Sequence, residues 1–500
     1  MSDPIETDLL ILGAGFSGMI MAMEARKRGF DDLLILEKAD EVGGAWRENT
    51  YPGVACDIPS HLYSFASHPN PDWSTCYAGG GEIWAYMKDV AKRENLYEII
   101  RFGRVFQSAR WDGDRWLVET EGGERYAARV LVSGLGALHI PQTPDVPGLA
   151  DFPGAHFHSA RWDHALDLAG KRVAVIGTGA SAVQFVPVIA RSAAQVEVFQ
   201  RTAPYVLPRP DGPIAPWVRA LYRAVPALPR LRRWLIFKVF ELRHATFKGD
   251  ERAVKFGLRM WRKALEKAIK DKDFQQTLTP PYRIGCKRVL SSNDWYPALA
   301  RDNVRVIPEA LASIEGATLI AGDGTRVEAD VVIWGTGFHV TDGLLRLDLR
   351  GEGGVPLAQA WSEGIEAHLG TAMTGFPNLF LLLGPHTGLG HNSVVLMIEA
   401  QAEHVGRLLE TMRAQGLAAV EPRPKAQAAF ETEMDDRLAS MVWQAGGCTS
   451  WYQDDSGRNP TLWPGTVAEY QARMAEAGLD QYRPAQTAPD AAPDRIPQEA

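Results

Sequence analysis

DLLILGAGFSG, from Asp8 to Gly18, and RVAVIGTGASA, from Arg172 to Ala182, each run an apolar strand straight into a glycine turn. Gly13, Gly15 and Gly18 hold the glycine positions of the first, and Gly177, Gly179 and Ala182 those of the second. Small residues there permit a tight turn and the close approach of a pyrophosphate to a helix N-terminus, whose unpaired N–H groups and dipole favour anionic oxygens. Ser17 in the first unit, and Thr178, Ala180 and Ser181 in the second, fall at that helix start. A second strand follows in each: LLILE ends at Glu37 and VEVFQRT ends near Arg201, both 24 residues after the first glycine. A carboxylate at this place accepts a hydrogen bond from a ribose 2′-hydroxyl and repels a 2′-phosphate, whereas a guanidinium pairs with the phosphate through two donors. Glu37 therefore suits the ADP half of FAD or NAD, and Arg201, with Thr202 beside it, suits NADP. One such turn alone is also an ordinary strand-to-helix connection. Two, each followed by a fitting terminal residue, point to an α/β chain with two Rossmann-like dinucleotide-binding domains.

At 500 residues the chain exceeds one core of ordinary size, so two or three domains are expected. A net charge of −8 argues against binding nucleic acid along its whole length. Cys56, Cys76, Cys286 and Cys448 are widely spread, with no CxxC pair and no metal-finger spacing; no metal site is expected, and a reducing cytoplasm is the natural setting. MSDPIETDLL lacks a basic region ahead of its apolar stretch, which reads as the first strand and not as a signal peptide. No uninterrupted apolar run of about 18 residues marks a membrane span.

Residues 1–145 read as the first part of the first dinucleotide domain, for FAD or NAD, closing with YAARVLVSGLGALHIPQTPDVPG, a buried strand and a proline-punctuated crossing. Residues 146–335 read as an NADP domain that carries a helical insertion over 211–280. From Asp211 to Asp273 this insertion holds sixteen basic against seven acidic side chains, in a chain that is acidic overall. Three readings compete: a lid whose apolar face covers the active site while its basic face is solvated, an amphipathic helix lying on a membrane surface, or a lure for anionic NADPH. Pro216, Pro226 and Pro229 are expected to break the segment into short helices, which favours the lid. Residues 336–480 follow VVIWGTGF and read as a return to the first domain, with an apolar strand, a glycine-rich loop and a helix beginning near Asn392. Amides around Asn392 and Val394 would then face the flavin pyrimidine edge, although an ordinary capped helix fits equally well. Residues 481–500, rich in Pro, Ala, Gln and Asp, read as a disordered tail.

FPGAHFHSARWD places Phe152, Gly154, His158, Trp162 and Asp163 in the pattern FxGxxxHxxxWD. GGAWRENTYPGVACD places Gly43, Gly44, Trp46, Tyr51, Pro52, Gly53 and Asp57 in a second pattern, and IGCKRVLSSNDWYPAL supplies adjacent Lys287 and Arg288. In these three stretches, and in their order over residues from about 6 to 470, the chain resembles the type I Baeyer–Villiger monooxygenases. These FAD- and NADPH-dependent flavoproteins insert oxygen beside a ketone carbonyl. The resemblance implies a flavin C4a-peroxide stabilised by Arg288, with Asp57 holding that arginine and Lys287 joining Arg201 at the 2′-phosphate. Arginine suits the role because it stays protonated and offers forked donors to developing negative charge.

His158 is implied to couple the domains or orient the nicotinamide, not to act as acid or base; a plain structural histidine fits the residues as well. Trp46 and Tyr63 are implied near the flavin, where aromatics also serve as core. Trp451, in GGCTSWYQDDSGRNPTLWPG, is implied near the nicotinamide ribose. SWYQDDSGRN departs from the cyclic-ketone branch, and GLGHNSVVLMIEAQ resembles the branch acting on linear or aryl ketones. The expected partners are a small ketone and O2, with no nucleic acid and at most a peripheral membrane contact; the oligomeric state is not legible. The alternatives are a flavin monooxygenase oxidising nitrogen or sulfur and, from a different class, a non-catalytic nucleotide-binding or membrane-surface protein. A disulfide reductase fits poorly because no redox-active cysteine pair flanks the first unit.

Overall fold

Leu9 to Leu12 are all buried, as a strand covered on both faces must be, and they place Ile5–Leu12 at the centre of the first sheet. The computed structural model describes residues 3–340 and 344–484. Ile5–Leu12 pairs in parallel with Leu33–Leu36 on one side and Arg125–Ser133 on the other. Along its far edge Arg125–Ser133 serves two partners: Trp116–Thr120 runs antiparallel to its first half, and Leu379–Leu381 runs parallel to its last three residues. The segment after residue 340 thus returns to the first sheet, and its helix Val394–Gln415 packs on the helix Phe16–Lys27. That helix begins at Val394, two residues later than expected, because Ser393 takes the cap position and its Oγ accepts from the Val395 N–H.

The second sheet is fully parallel, in the order Val304–Ile307, Gln195–Phe199, Arg172–Ile176, Val331–Trp334, Ala155–His158. Its two central strands end at the glycine turn and at the crossing back to the first sheet, which is where such sheets hold ligands. The outgoing and returning crossings lie side by side: Gln142 N–H donates to Gly337 at 2.9 Å, and His339 N–H donates to Ile140 at 3.0 Å.

The insertion forms the helices Pro216–Ala224, Ala227–Leu242, His244–Phe247, Glu251–Ala268 and Lys272–Thr277. Pro229 does not break it. It sits in the first turn of Ala227–Leu242, where an N–H would have no intrahelical acceptor to lose. The outward face of that helix is not purely basic as the lid reading expected, since it exposes Leu231, Trp234, Leu235, Val239 and Leu242.

Part of the expected tail is ordered. Tyr482–Pro484 pairs antiparallel with Val420–Pro422, and the Tyr482 ring is buried with its hydroxyl 2.8 Å from His404 Nε2. The rest of that tail, from residue 485, lies outside the described residues. Among the described residues no helix is long and apolar enough to cross a membrane, and no cluster of His, Cys, Asp and Glu is arranged to hold a metal.

Candidate active site

The first glycine turn is tight because Gly18 lies on it: a Cβ at Gly18 would stand 1.9 Å from the Gly13 carbonyl oxygen. Gly15 caps Phe16–Lys27, with Ser17 buried in its first turn, and Gly44 lies against Gly15, where an added Cβ would come within 3.0 Å of the Gly15 Cα. At the end of the second strand the Glu37 carboxylate is buried. Its Oε2 accepts from the Ala14 N–H at 2.7 Å and its Oε1 from the Ala39 N–H at 2.9 Å. Each oxygen keeps a second lone pair, so the acceptor a ribose hydroxyl requires is fixed in place. Beside the turn, Trp46 Nε1 donates to the Tyr63 hydroxyl at 3.2 Å, and the Tyr63 ring meets Phe16 edge-on. These groups fit the adenosine and flavin ends of FAD.

In the second unit Gly179 caps the helix Ala180–Ile189, with Ala182 fully buried against the sheet. The Thr178 hydroxyl donates to the Thr202 carbonyl at 3.2 Å, tying the turn to the loop that carries exposed Arg201. Burial lowers the Lys287 pKa, and the positive charge of Arg201 lowers it further, so two cations are held side by side. A dianionic phosphate relieves both costs, which is the fit a 2′-phosphate demands.

The two units meet through Gln184. Its Oε1 accepts from the Tyr51 hydroxyl at 2.9 Å and its Nε2 donates to the Ala55 carbonyl at 2.9 Å. Gly53 makes this contact close: it has φ +84, and a Cβ would stand 2.8 Å from the Gln184 carbonyl oxygen. Burial pushes the Tyr51 phenol up to about 12, against the opposing pull of Ser181 and Arg288. The loop then delivers Asp57, whose Oδ2 accepts from Arg288 Nη2 at 2.5 Å. The Asp57 charge raises the Arg288 pKa further still, outweighing the burial that opposes it. Cys56 and Tyr452 lie near enough to act on the same guanidinium, yet 41% of the side chain remains accessible.

Gln184 and Tyr452 were not anticipated, since neither belongs to a recognisable pattern. Nor was the disulfide Cys286–Cys448, whose Cα atoms lie 6.1 Å apart across a sequence separation of 162. Pairing across that separation leaves no local spacing signal, and the bridge removes the basis for expecting a reducing setting from the wide spread of the four cysteines. The bridge ties the segment bearing Lys287 and Arg288 to the one bearing Trp451, an exposed ring packed on Tyr452 at 4.3 Å.

The FxGxxxHxxxWD stretch is spread over the second sheet's edge. Phe152 is buried, and Gly154 has no room for a side chain because a Cβ would meet the Asp330 carbonyl oxygen at 2.2 Å. His158 ends its strand, accepts from the Ala160 N–H through Nδ1 at 3.1 Å, and meets Phe338 of the returning crossing edge-on. Burial lowers its pKa to about 4, so at neutral pH it is uncharged. Trp162 packs between Phe157 and Phe185, and exposed Asp163 accepts from the Ala165 N–H. Asn392 is buried, and its Nδ2 donates to Glu241 Oε1 at 2.8 Å. Although burial opposes it, hydrogen bonds from His391, Ala468, Asn392 and Val467 lower the Glu241 pKa to about 2. Glu241, on the insertion, thereby braces the loop that precedes Val394.

A Baeyer–Villiger monooxygenase of Streptomyces coelicolor is 45% identical over 96% of this chain and 93% of its own length. This chain belongs to the Baeyer–Villiger monooxygenase family. A steroid monooxygenase solved with NADP superposes with a TM-score of 0.86 at 30% identity, covering 96% of this chain and 100% of that one. OTEMO, solved with FAD and NADP, gives 0.86 at 27% identity over the same shares. Residues 10–227 also match the family model described as pyridine nucleotide-disulphide oxidoreductase. Both glycine turns fall within that match, as do Cys56 and Cys76, which are unpaired.

Proposed function

We propose that this Baeyer–Villiger monooxygenase uses FAD, NADPH and O2 to convert a ketone to an ester or lactone, with Arg288 as its catalytic residue and Asp57 as the group that positions it. The observation that carries this reading is the Arg288–Asp57 contact at the joint of the two nucleotide units. Residues 1–145 with 336–480 form the FAD unit and residues 146–335 the NADP unit. When bound, the flavin reduced by NADPH supplies oxygen in an activated form.

The amides of the Gly13–Gly18 turn and the Glu37 carboxylate hold the FAD pyrophosphate and ribose. Trp46, Tyr63 and the Asn392–Val394 helix start line the flavin. The turn from Gly177 to Ala182 holds the second pyrophosphate, Arg201 and Lys287 hold the 2′-phosphate, and Trp451 covers the nicotinamide side. Arg288 keeps its charge at any working pH, because its neighbour Asp57 favours the protonated form. One of its donors engages Asp57, and the remaining N–H groups are available to an oxygen on which negative charge grows as the carbonyl is attacked. His158, uncharged and set against the crossing, couples the two units. The stretch GLGHNSVVLMIEAQ, similar to the branch acting on linear or aryl ketones, favours those substrates over ring ketones.

The test is direct. Protein reconstituted with FAD should bleach on adding NADPH, regain its yellow colour in air, and yield esters from a panel of linear, cyclic and aryl ketones. Sulfoxides or N-oxides formed without any ester would overturn the assignment.

A further inference from the structure

Nine of the thirteen large apolar side chains that lie exposed among the described residues fall between Trp217 and Phe256, on the insertion. They are ordered on it. In Pro216–Ala224, Trp217 and Leu221 are one turn apart, with Trp217 70% exposed. In Ala227–Leu242, Leu231, Trp234, Leu235, Val239 and Leu242 follow the three- and four-residue spacing of a single stripe, and Leu242 is 76% exposed.

The opposite side of that helix is fixed to the body of the protein. Arg233 donates to the Leu62 and Ser64 carbonyls at 2.7 Å and pairs with Glu399 at 3.0 Å, Phe240 is buried, and Glu241 holds Asn392. The outward direction of the stripe is therefore set by packing. A helix apolar on both sides is ordinarily covered on both.

The charge around the stripe says what covers it. From Pro216 to Arg259 there are eleven Lys and Arg against three acidic residues, in a chain whose net charge is −8. Arg230, Lys238 and Lys248 are exposed beside the apolar positions. A second copy of the chain meeting this face through a two-fold axis would set these cations against one another. An anionic sheet of phosphates above an apolar layer complements both features, and tryptophan is at home at that boundary.

We propose that this face of the insertion docks on the surface of an anionic lipid bilayer, its apolar stripe entering the boundary between headgroups and acyl chains and its Lys and Arg meeting lipid phosphates. The contact is peripheral. None of the described helices crosses a membrane.

The experiment is flotation of the FAD-loaded enzyme with vesicles of phosphatidylcholine alone, or containing about one third phosphatidylglycerol. The expected result is co-flotation with the anionic vesicles, weak association with neutral ones, and release as salt is raised. The double variant Leu231→Glu with Leu235→Glu keeps helix-forming residues at exposed sites, so it should retain its FAD and its ketone turnover while binding anionic vesicles at least about tenfold more weakly. Protein that stays in the buffer with both vesicle types overturns the proposal, and so does a variant that binds as well as the parent. If light scattering instead gives a dimer that the variant splits into monomers, a second copy covers the stripe and the lipid assignment is wrong.

Discussion

Breaking the Cys286–Cys448 bridge, by Cys448→Ser or by reductant, should cost stability that can be worked from its place in the chain. The bridge closes a loop of 162 residues. Loop-closure entropy for that length corresponds to about 5 kcal/mol of destabilisation of the unfolded ensemble at 25 °C, an upper value for a native that is unstrained. Unfolding entropy of about 2 cal/mol/K per residue over a chain this long converts the loss to a midpoint lower by about 5 °C. The assay is thermal unfolding of the FAD-loaded protein, followed by flavin fluorescence with and without reductant. A thiol titration run beside it should count two free thiols before reduction and four after. The bridge also holds the Lys287–Arg288 segment to the Trp451–Tyr452 segment, so the variant should show a raised KM for NADPH. A midpoint that moves by less than about 1 °C, with four thiols free from the start, would refute the reasoning.

Arg201→Ala should lower kcat/KM for NADPH by roughly 10- to 100-fold, the value of a charge-assisted pair, and leave NADH turnover nearly unchanged; equal losses for both would show that Arg201 does not read the phosphate. Gly53→Ala puts a Cβ 2.8 Å from the Gln184 carbonyl oxygen at a φ of +84, so it should destabilise the protein by about 1 kcal/mol or more and slow flavin reduction by NADPH; a variant with parental stability and reduction rate would remove Gly53 from the domain joint. Burial lowers His61, His139, His158 and His244 to about 4. Because their folded pKa lies below the unfolded value of 6.5, the unfolded chain binds more protons below that pH, and denaturant midpoints should fall steadily between pH 6.5 and 4. A midpoint flat across that window would contradict the burial of these rings.

The parts of this protein that were legible in its sequence are those whose signal is local. A buried parallel strand must be an apolar run, and a turn that admits a pyrophosphate must be small, so Leu9–Leu12 with Gly13 to Gly18, and Val173–Ile176 with Gly177 to Ala182, announce themselves within a dozen residues. Arg288 was different. Nothing in a Lys–Arg dipeptide distinguishes it from solvated surface, and only the family pattern singled it out.

What stayed hidden depends on how the two units dock. Gln184 meets Tyr51 across 133 residues, Glu241 meets Asn392 across 151, and Cys286 meets Cys448 across 162. No propensity or spacing encodes such pairs. Pro229 was misread because proline is disruptive inside a helix and harmless in its first turn, and the register of that turn is set by packing of the insertion on the body. Tyr482 was assigned to a tail by the composition around it, whereas its ring fills a site beside His404 that only the folded chain creates.

The proposed chemistry requires a guanidinium, held by Asp57 at the joint of the two units, that stabilises negative charge while oxygen is transferred to a ketone. The most direct measurement is the product balance of Arg288→Ala: NADPH consumed, hydrogen peroxide released and ester formed, under one set of conditions. The predicted result is continued NADPH oxidation with peroxide as the product and ester lowered at least about a hundredfold. Ester formed at the parental rate by that variant would contradict the central claim.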